Sequence, residues 1–402
     1  MQHARPEHPE WLRRLRTAEE CLVPWIQETV PLTGLTVLEY GCGQGAVACA
    51  VAPRAGRHIG LDIDPGELEL AREHIEARGL SNVELVVAEE DEILDRVASY
   101  RGAVDVFLFY AVLEHLTLDE RLAVLRVARD TVRPEGHIVV CESPNRLTPM
   151  DHHTGQMPFL HALPLGLAAR YYDRSPRRED FVRAVDAAAA DGPAALERAL
   201  VRWGTGMSYH ELELVFDDLA AHTAASNYHR LLYPVRPVRG EELHLAATLE
   251  AWRPDLPPCW SRSWLDTILT ARPQRHPPLH VRPWQLRLAH DVPGAAMLGD
   301  GRLELRPGAR LPVQLPVATD ELHVGLMATA PGPALRIHAG AGVLAPTAAA
   351  NLDGVPQWHA TARLPEATDT LEMSLPDGGC LTYVGYRGPA DPRAAHGRAM
   401  AW

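Results

Sequence analysis

The chain has 402 residues, 46% of them hydrophobic and 23% charged, with a formal net charge of −13. That length fits two domains of ordinary size, and the apolar fraction is enough to fill globular cores. The acidic balance repels phosphate backbones, which argues against a nucleic-acid partner and favours a cationic or neutral small ligand.

Residues 11–30 repeat apolar side chains at helical spacing (Trp11, Leu12, Leu15, Ala18, Leu22, Ile26). A strand is predicted over 36–40, then a glycine-rich turn and an apolar helix over 46–52. A second strand, 58–62, runs into Asp64-Pro65-Gly66-Glu67. There Asp64 is placed to cap a helix, Pro65 to fill its first position, and Gly79 to end it. Strands follow over 83–87 and 104–109, the latter apolar throughout, as in a sheet covered on both faces. Thr117-Leu118-Asp119-Glu120 is a capping box that opens a helix to about residue 132. A turn over Arg133-Pro134-Glu135-Gly136 leads to a fifth strand over 137–141. This alternation predicts an α/β, Rossmann-like doubly wound sheet.

After residue 142 the alternation stops. Residues 151–260 read as a mostly helical insert with an alanine-rich amphipathic stretch near 181–200, and the apolar run 264–270 as a last strand of the same sheet. The domain expectation is 1–275 for this part, with His276-Pro277-Pro278 as a linker. Over 284–390, short β-patterned runs (303–305, 311–315, 322–327, 335–338, 371–375, 381–386) predict an all-β sandwich of jelly-roll type. Residues 391–402 read as a flexible tail.

The six cysteines (Cys21, Cys42, Cys49, Cys141, Cys259 and Cys380) form no CxxC pair and no zinc-spaced cluster with histidine. They read as reduced, intracellular thiols. The first ten residues carry no apolar signal core, and no apolar run approaches the roughly 18 residues of a membrane span. A cytoplasmic protein without a membrane partner is expected.

The functional argument starts at Val37-Leu38-Glu39-Tyr40-Gly41-Cys42-Gly43-Gln44-Gly45. Glycines at alternate positions let the backbone turn sharply and approach a ligand. Followed by Ala46, they also fit the loose dinucleotide pattern. Asp62, ending the second strand, suits the hydroxyls of a ribose, which nicotinamide enzymes also use. Glu39 tips the balance. A carboxylate two residues before the first glycine repels a pyrophosphate but attracts an ammonium or sulfonium. S-adenosylmethionine (SAM) carries both cations and no phosphate. Glu89 and Glu90, after the third strand, are placed to meet an adenine amino group.

This set resembles the class I SAM-dependent methyltransferases over about residues 34–160, and more weakly to 273. The matching pieces are Glu39-x-Gly41-x-Gly43-x-Gly45, Gly60-Leu61-Asp62, the acids after the third strand, Val112-Leu113-Glu114-His115-Leu116 and the Arg133–Gly136 turn. The resemblance implies that Glu39, Gly41 and Gly43 hold the methionine part, Asp62 the ribose and Glu89 the adenine. Cys42, Ile63, Glu90 and Tyr110 complete the candidate cofactor-binding residues. Ala88-Glu89-Glu90 departs from the more usual Gly-Asp-Ala, which loosens the adenine assignment.

Ligands in open α/β sheets sit at the carboxyl ends of strands. Tyr110, Glu114 and His115 follow the fourth strand; Asn145, Asp151, His152 and His153 follow the fifth. Tyr110, Glu114, His115, His152 and His153 are therefore the candidates for catalysis. The alternative for Glu114-His115 is a structural pin for their loop. For Tyr171-Tyr172, core packing competes with an aromatic pocket wall. Residues 144–154 look like a segment of a bacterial subgroup of this family that leads into Pro158-Phe159-Leu160 and a helical cover over the acceptor site. Ubiquinone-type O-methyltransferases, which this domain resembles, carry Glu-x-x-Glu-His as a metal site. Here Ala111 stands at the first position, and two ligands are too few, so no metal is expected. Phe109-Tyr110-Ala111-Val112 also lacks the Pro-Pro-aromatic motif of nucleic-acid amino-methyltransferases.

The expected function is methyl transfer from SAM to an N or O atom of a natural product, with a small molecule or a short peptide as partner. A small-metabolite O-methyltransferase is the alternative. A nicotinamide-dependent oxidoreductase and a SAM-binding protein without catalysis stand further back. The C-terminal β-region would bind substrate or build an oligomer such as a homodimer.

Overall fold

The computed structural model describes residues 9–226, 239–253, 256, 258–273, 279–283, 292–298, 302–327, 334–338, 342–344, 347–352 and 355–387. The expected linker at 276–278 and tail at 391–402 lie outside them. The chain divides into two compact units, residues 1–143 with 268–272, and residues 144–267 with 273–402.

The first unit opens with a helical run: α1 (Pro9–Thr17), a π-helical turn (Ala18–Leu22) and α2 (Val23–Thr29). Five parallel strands follow: β1 (Thr36–Tyr40), β2 (Arg57–Asp62), β3 (Val83–Val87), β4 (Val104–Tyr110) and β5 (Val132–Pro144). Their order in the sheet is β3-β2-β1-β4-β5, with β1 paired on one side to β2 and on the other to β4. The helices α3 (Ala46–Val51), α4 (Pro65–Ala77), α5 (Ile93–Ala98) and α6 (Leu118–Thr131) alternate with them. Phe107, Leu108 and Phe109 in β4 are all fully buried, as a strand with both faces covered requires. The reversal of strand order at β1/β4 makes the crevice above those two strands the place for a ligand.

Both predicted caps form. Asp64 Oδ1 accepts from the N–H groups of Gly66 and Glu67, and Thr117 and Glu120 make the reciprocal capping box. The predicted turn at 133–136 takes another form. Pairing jumps from Val104↔Val132 to Val106↔His137, so these residues bulge out of a β5 that begins at Val132. The last strand joins as expected, since the Ala271 N–H, in the segment 268–272, donates to Gly136 O at 3.1 Å.

In the second unit, residues 144–267 contain α7 (Leu165–Ala168), α8 (Arg183–Ala189), α9 (Pro193–Trp203), α10 (Tyr209–Phe216), α11 (Leu219–His222), β6 (Thr223–Ser226) and α12 (Gly240–Trp252), followed by β7 (Trp264–Thr270). The amphipathic stretch is two helices, broken where Gly192 adopts φ +104°. Their core holds Phe181, Val185 and Leu200, with Tyr172 on its edge. The β-region comprises β8 (Leu279–Pro283), β9 (Ala295–Met297), β10 (Leu303–Leu305), β11 (Arg310–Met327), β12 (Leu335–Ile337), β13 (Gly342–Leu344), β14 (Thr347–Leu352), β15 (Val355–Ser374) and β16 (Gly379–Arg387).

One boundary needs correction: the region begins at β8, before residue 284. Its strands join one hydrogen-bonded network, ordered β13-β12-β15-β11-β16-β8 with β9, β10 and β14 attached, an order that does not by itself establish the expected jelly-roll sandwich. Strand β11 spans both of the short runs read at 311–315 and 322–327. Leu311, Val313 and Leu315 are buried, then Leu322, Val324 and Leu326, a change from odd to even positions. Register shifts between Gln314 and Glu321 absorb that change, so one strand keeps its apolar side inward through the irregularity. What reads as two short strands is therefore a single long one, and β15 runs beside it throughout.

Candidate active site

The glycine loop is tied to β2 by its backbone. The N–H groups of Gly41 and Cys42 both donate to Leu61 O, at 2.8 and 3.0 Å. The Gly43 N–H donates to Asp62 Oδ2 at 2.7 Å, and the Asp64 N–H to Asp62 Oδ1 at 3.0 Å. Asp62 thus fastens the loop from one side and the start of α4 from the other. Gly41 sits at φ +74°, and a Cβ there would lie 2.6 Å from Val112 Cγ2, so a larger residue is excluded twice over.

Above this loop lies a cavity of about 340 Å3, lined among others by Glu39, Gly41, Cys42, Gly43 and Tyr110. That volume falls in the ordinary range for small-molecule sites, roughly 300–1,000 Å3. Burial pushes the Glu39 carboxyl above its usual range, an effect that the hydrogen bond to His58 opposes. Burial also pushes the Cys42 thiol well up, with Glu39 and Asp62 adding to it. The thiol therefore stays protonated and acts as a small apolar wall.

The rest of the lining comes from residues that the sequence reading did not select. Helix α1 supplies Glu10, Trp11 and Arg14. The Trp11 indole N–H donates to Gln44 O at 3.0 Å, and its ring stacks on His74 at 4.0 Å between centroids. The Arg78 guanidinium covers it at 4.6 Å. These contacts seat α1 over the glycine loop. Arg14, which also bonds Glu10 at 3.3 Å, brings a cation to a cavity that already holds the Glu39 carboxylate. The only sequence signal was the helical repeat from Trp11 onward, which says nothing of what the helix covers.

The other predicted cofactor residues stand outside this lining. Asp62 accepts the Gly43 N–H and is not among the lining residues. Ile63 is exposed, as are Glu89 and Glu90 beyond the end of β3, so the expected adenine contacts are not part of the cavity as formed here. After β4, Ala111 takes φ +50° while its N–H donates to Cys141 O at 3.0 Å. Glu114 is fully buried, which pushes its carboxyl up to about 8. Beneath it, the buried Arg121 guanidinium donates to Leu113 O at 2.9 Å and to Leu116 O at 3.0 Å, pinning the loop. His115 is the more accessible neighbour, its side chain 36% exposed and its Nε2 3.8 Å from Glu114 Oε1.

His152 and His153 belong to the second unit. His152 Nε2 is 3.1 Å from Glu241 Oε1, and His153 Nδ1 is 2.9 Å from Thr154 Oγ1, with its ring edge-on to Trp264. Asp151 and Asn145 have structural work here. Asp151 accepts the N–H groups of His153, Thr154 and Gly155, and Asn145 donates to Trp260 O and Arg262 O. Tyr172 belongs to the helical core, where its hydroxyl bonds Asp186 at 2.6 Å, and Tyr171 is exposed.

Comparison with known proteins locates the likeness in the first unit and just beyond. Residues 32–165 match the family described as "Methyltransferase domain". A ubiquinone biosynthesis O-methyltransferase of Thiobacillus denitrificans is 36% identical over 115 residues, covering 28% of this chain and 47% of that one. Its counterpart in Acinetobacter baylyi is 28% identical over 133 residues, covering 33% and 53%. The chain thus spans about half the length of the curated relatives it matches. Among solved structures, a SAM-dependent methyltransferase from Aquifex aeolicus is 18% identical with a TM-score of 0.31, covering 42% of this chain and 89% of that one. The glycine loop after β1, the acid ending β2 and this family match agree: residues 32–165 carry a methyltransferase domain, consistent with the class I family, which uses SAM.

Proposed function

We propose that the protein transfers a methyl group from SAM to an N or O atom of a natural product, either a small molecule or a short peptide. The observation that carries this reading is that the buried Glu39 carboxylate and the Arg14 guanidinium line one cavity. An α-amino acid end presents both an ammonium and a carboxylate, and this pair of side chains complements both. A diphosphate would meet Glu39 unfavourably. When bound, SAM supplies a methyl group on a sulfonium, an electrophile with a very good leaving group.

The chain's own part is binding and alignment. Glu39 takes the ammonium, Arg14 the carboxylate and Asp62 the ribose, while Tyr110 bounds the cavity at the end of β4. Alignment of this kind is worth roughly 7–11 kcal/mol. His115, partly exposed, takes the proton of a hydroxyl or amine acceptor, for a further factor of about 10²–10⁴. Ala111 replaces a carboxylate of the metal pattern, and no step here uses a metal. Arg14→Ala is expected to weaken binding of S-adenosylhomocysteine about fivefold, as for a half-exposed ion pair, measured by calorimetric titration.

The acidic charge and the extra β-region favour a peptide-like substrate. The likeness to ubiquinone biosynthesis O-methyltransferases favours the second reading, a small-metabolite O-methyltransferase. In either case residues 279–387 hold the substrate or a second copy of the chain, and the protein works in the cytoplasm without nucleic acid. Among the described residues, no helix is long and apolar enough to cross a membrane. Incubation with methyl-labelled SAM and separate phenolic, amine and peptide acceptors tests the proposal. Label transfer to one of these classes is expected; transfer to nucleic acid alone, or thermal stabilisation by NAD in place of S-adenosylhomocysteine, would refute it.

A further inference from the structure

Behind the glycine loop lies a buried histidine that the reading above leaves without a role. His58 in β2 is registered opposite Val37, and Gly60 opposite Glu39. Side chains two residues apart share a face of a strand, so Glu39 and His58 rise on the same side of the sheet. Gly60, directly opposite Glu39, adds no side chain. His58 Nε2 reaches Glu39 Oε2 at 3.0 Å, with both residues almost completely buried.

The hydrogen bonds select one protonation state. His58 Nδ1 has no partner among the described residues. A proton on Nδ1, in the other neutral tautomer or in the imidazolium, would strand a buried N–H donor. The neutral Nε2–H tautomer strands only an acceptor lone pair and gives the carboxylate a donor.

We propose that His58 is a positioning residue for the cofactor's methionine end: its Nε2–H holds Glu39 Oε2 and keeps the carboxylate directed at the α-ammonium. This rests on the assignment of the cavity to SAM. A buried carboxylate without a donor turns away or takes up a proton, and either change removes the charge that an ammonium requires.

The test compares S-adenosylhomocysteine, which carries the amino-acid end, with 5′-methylthioadenosine, which lacks it. His58→Leu, which has no donor, is expected to weaken S-adenosylhomocysteine binding about tenfold or more, the usual effect of losing a hydrogen bond to a charged group. Its affinity for methylthioadenosine stays at the wild-type level. His58→Gln, which restores an N–H, recovers most of the loss. Imidazole ¹⁵N shifts of the wild-type protein, with His58 identified by its loss in His58→Gln, show the neutral Nε2–H form, and this measurement does not depend on how the Leu variant folds. Equal loss of both nucleosides, full S-adenosylhomocysteine affinity in His58→Leu, or a proton on Nδ1 would overturn the proposal. Failure of the wild-type protein to bind either nucleoside would instead overturn the cofactor assignment beneath it.

Discussion

Asp62→Ala is expected to reduce S-adenosylhomocysteine binding about a hundredfold or more, because it removes charge-assisted bonds of about 1.5–3 kcal/mol each. Two of them are already present without ligand, to the N–H groups of Gly43 and Asp64. The others would be made to the ribose. Losing the first pair frees the glycine loop from the end of β2, so the cavity floor loses its shape before any ligand arrives. Asp62→Asn retains an acceptor oxygen without the charge and is expected to fall between the variant and the wild type. Calorimetric titration, with circular dichroism to confirm folding, reads the effect. An Asp62→Ala protein that binds as tightly as the wild type would show that this carboxylate is not part of the cofactor site.

Glu114→Gln is expected to raise stability at alkaline pH by a few kcal/mol and to leave it little changed at pH 5. Burial moves the Glu114 carboxyl from an ordinary 4.5 up to about 8. Between those values the folded chain keeps a proton that the unfolded chain releases. Stability therefore falls as pH rises through this window and levels off above it, at roughly 1.4 kcal/mol for each pH unit where the difference is complete. Glutamine carries no titrating group and removes that slope. Glu39, also pushed up by burial, adds a slope of the same sign that both proteins share, so the difference between them isolates Glu114. Denaturant unfolding at pH 5, 7 and 9 measures it, and parallel pH profiles for the two proteins would refute the assignment. The same shift bears on mechanism. Below about pH 8 Glu114 holds its proton, so it does not serve as a base at neutral pH, and His115 becomes the residue to test for that role.

How much of this was legible in the sequence follows from the range of the forces involved. The strands of the first unit, the caps at Asp64 and Thr117 and the tight turn at Gly41 are set by periodicity, side-chain-to-backbone bonds and backbone sterics, all acting within a few residues. The cofactor class was legible too, because Glu39 and Gly41 are only two positions apart and their electrostatic message does not depend on the rest of the fold.

Contacts between distant segments were not legible. Trp11 meets the carbonyl of Gln44, 33 positions on, and so brings Arg14 to the cavity. His58 reaches Glu39 only because parallel pairing sets β2 beside β1 in one register. In the β-region, Val355–Ser374 includes polar residues and two prolines that mask a strand, yet pairing with β11 holds it extended. The sequence by itself determined the alternating α/β domain, its glycine loop and the acidic charge beside that loop, since local geometry and charge sign need no partner. The tertiary structure decided which helix covers the cavity, which histidine steadies Glu39 and how far each β-strand runs, since burial and register exist only once remote segments have met.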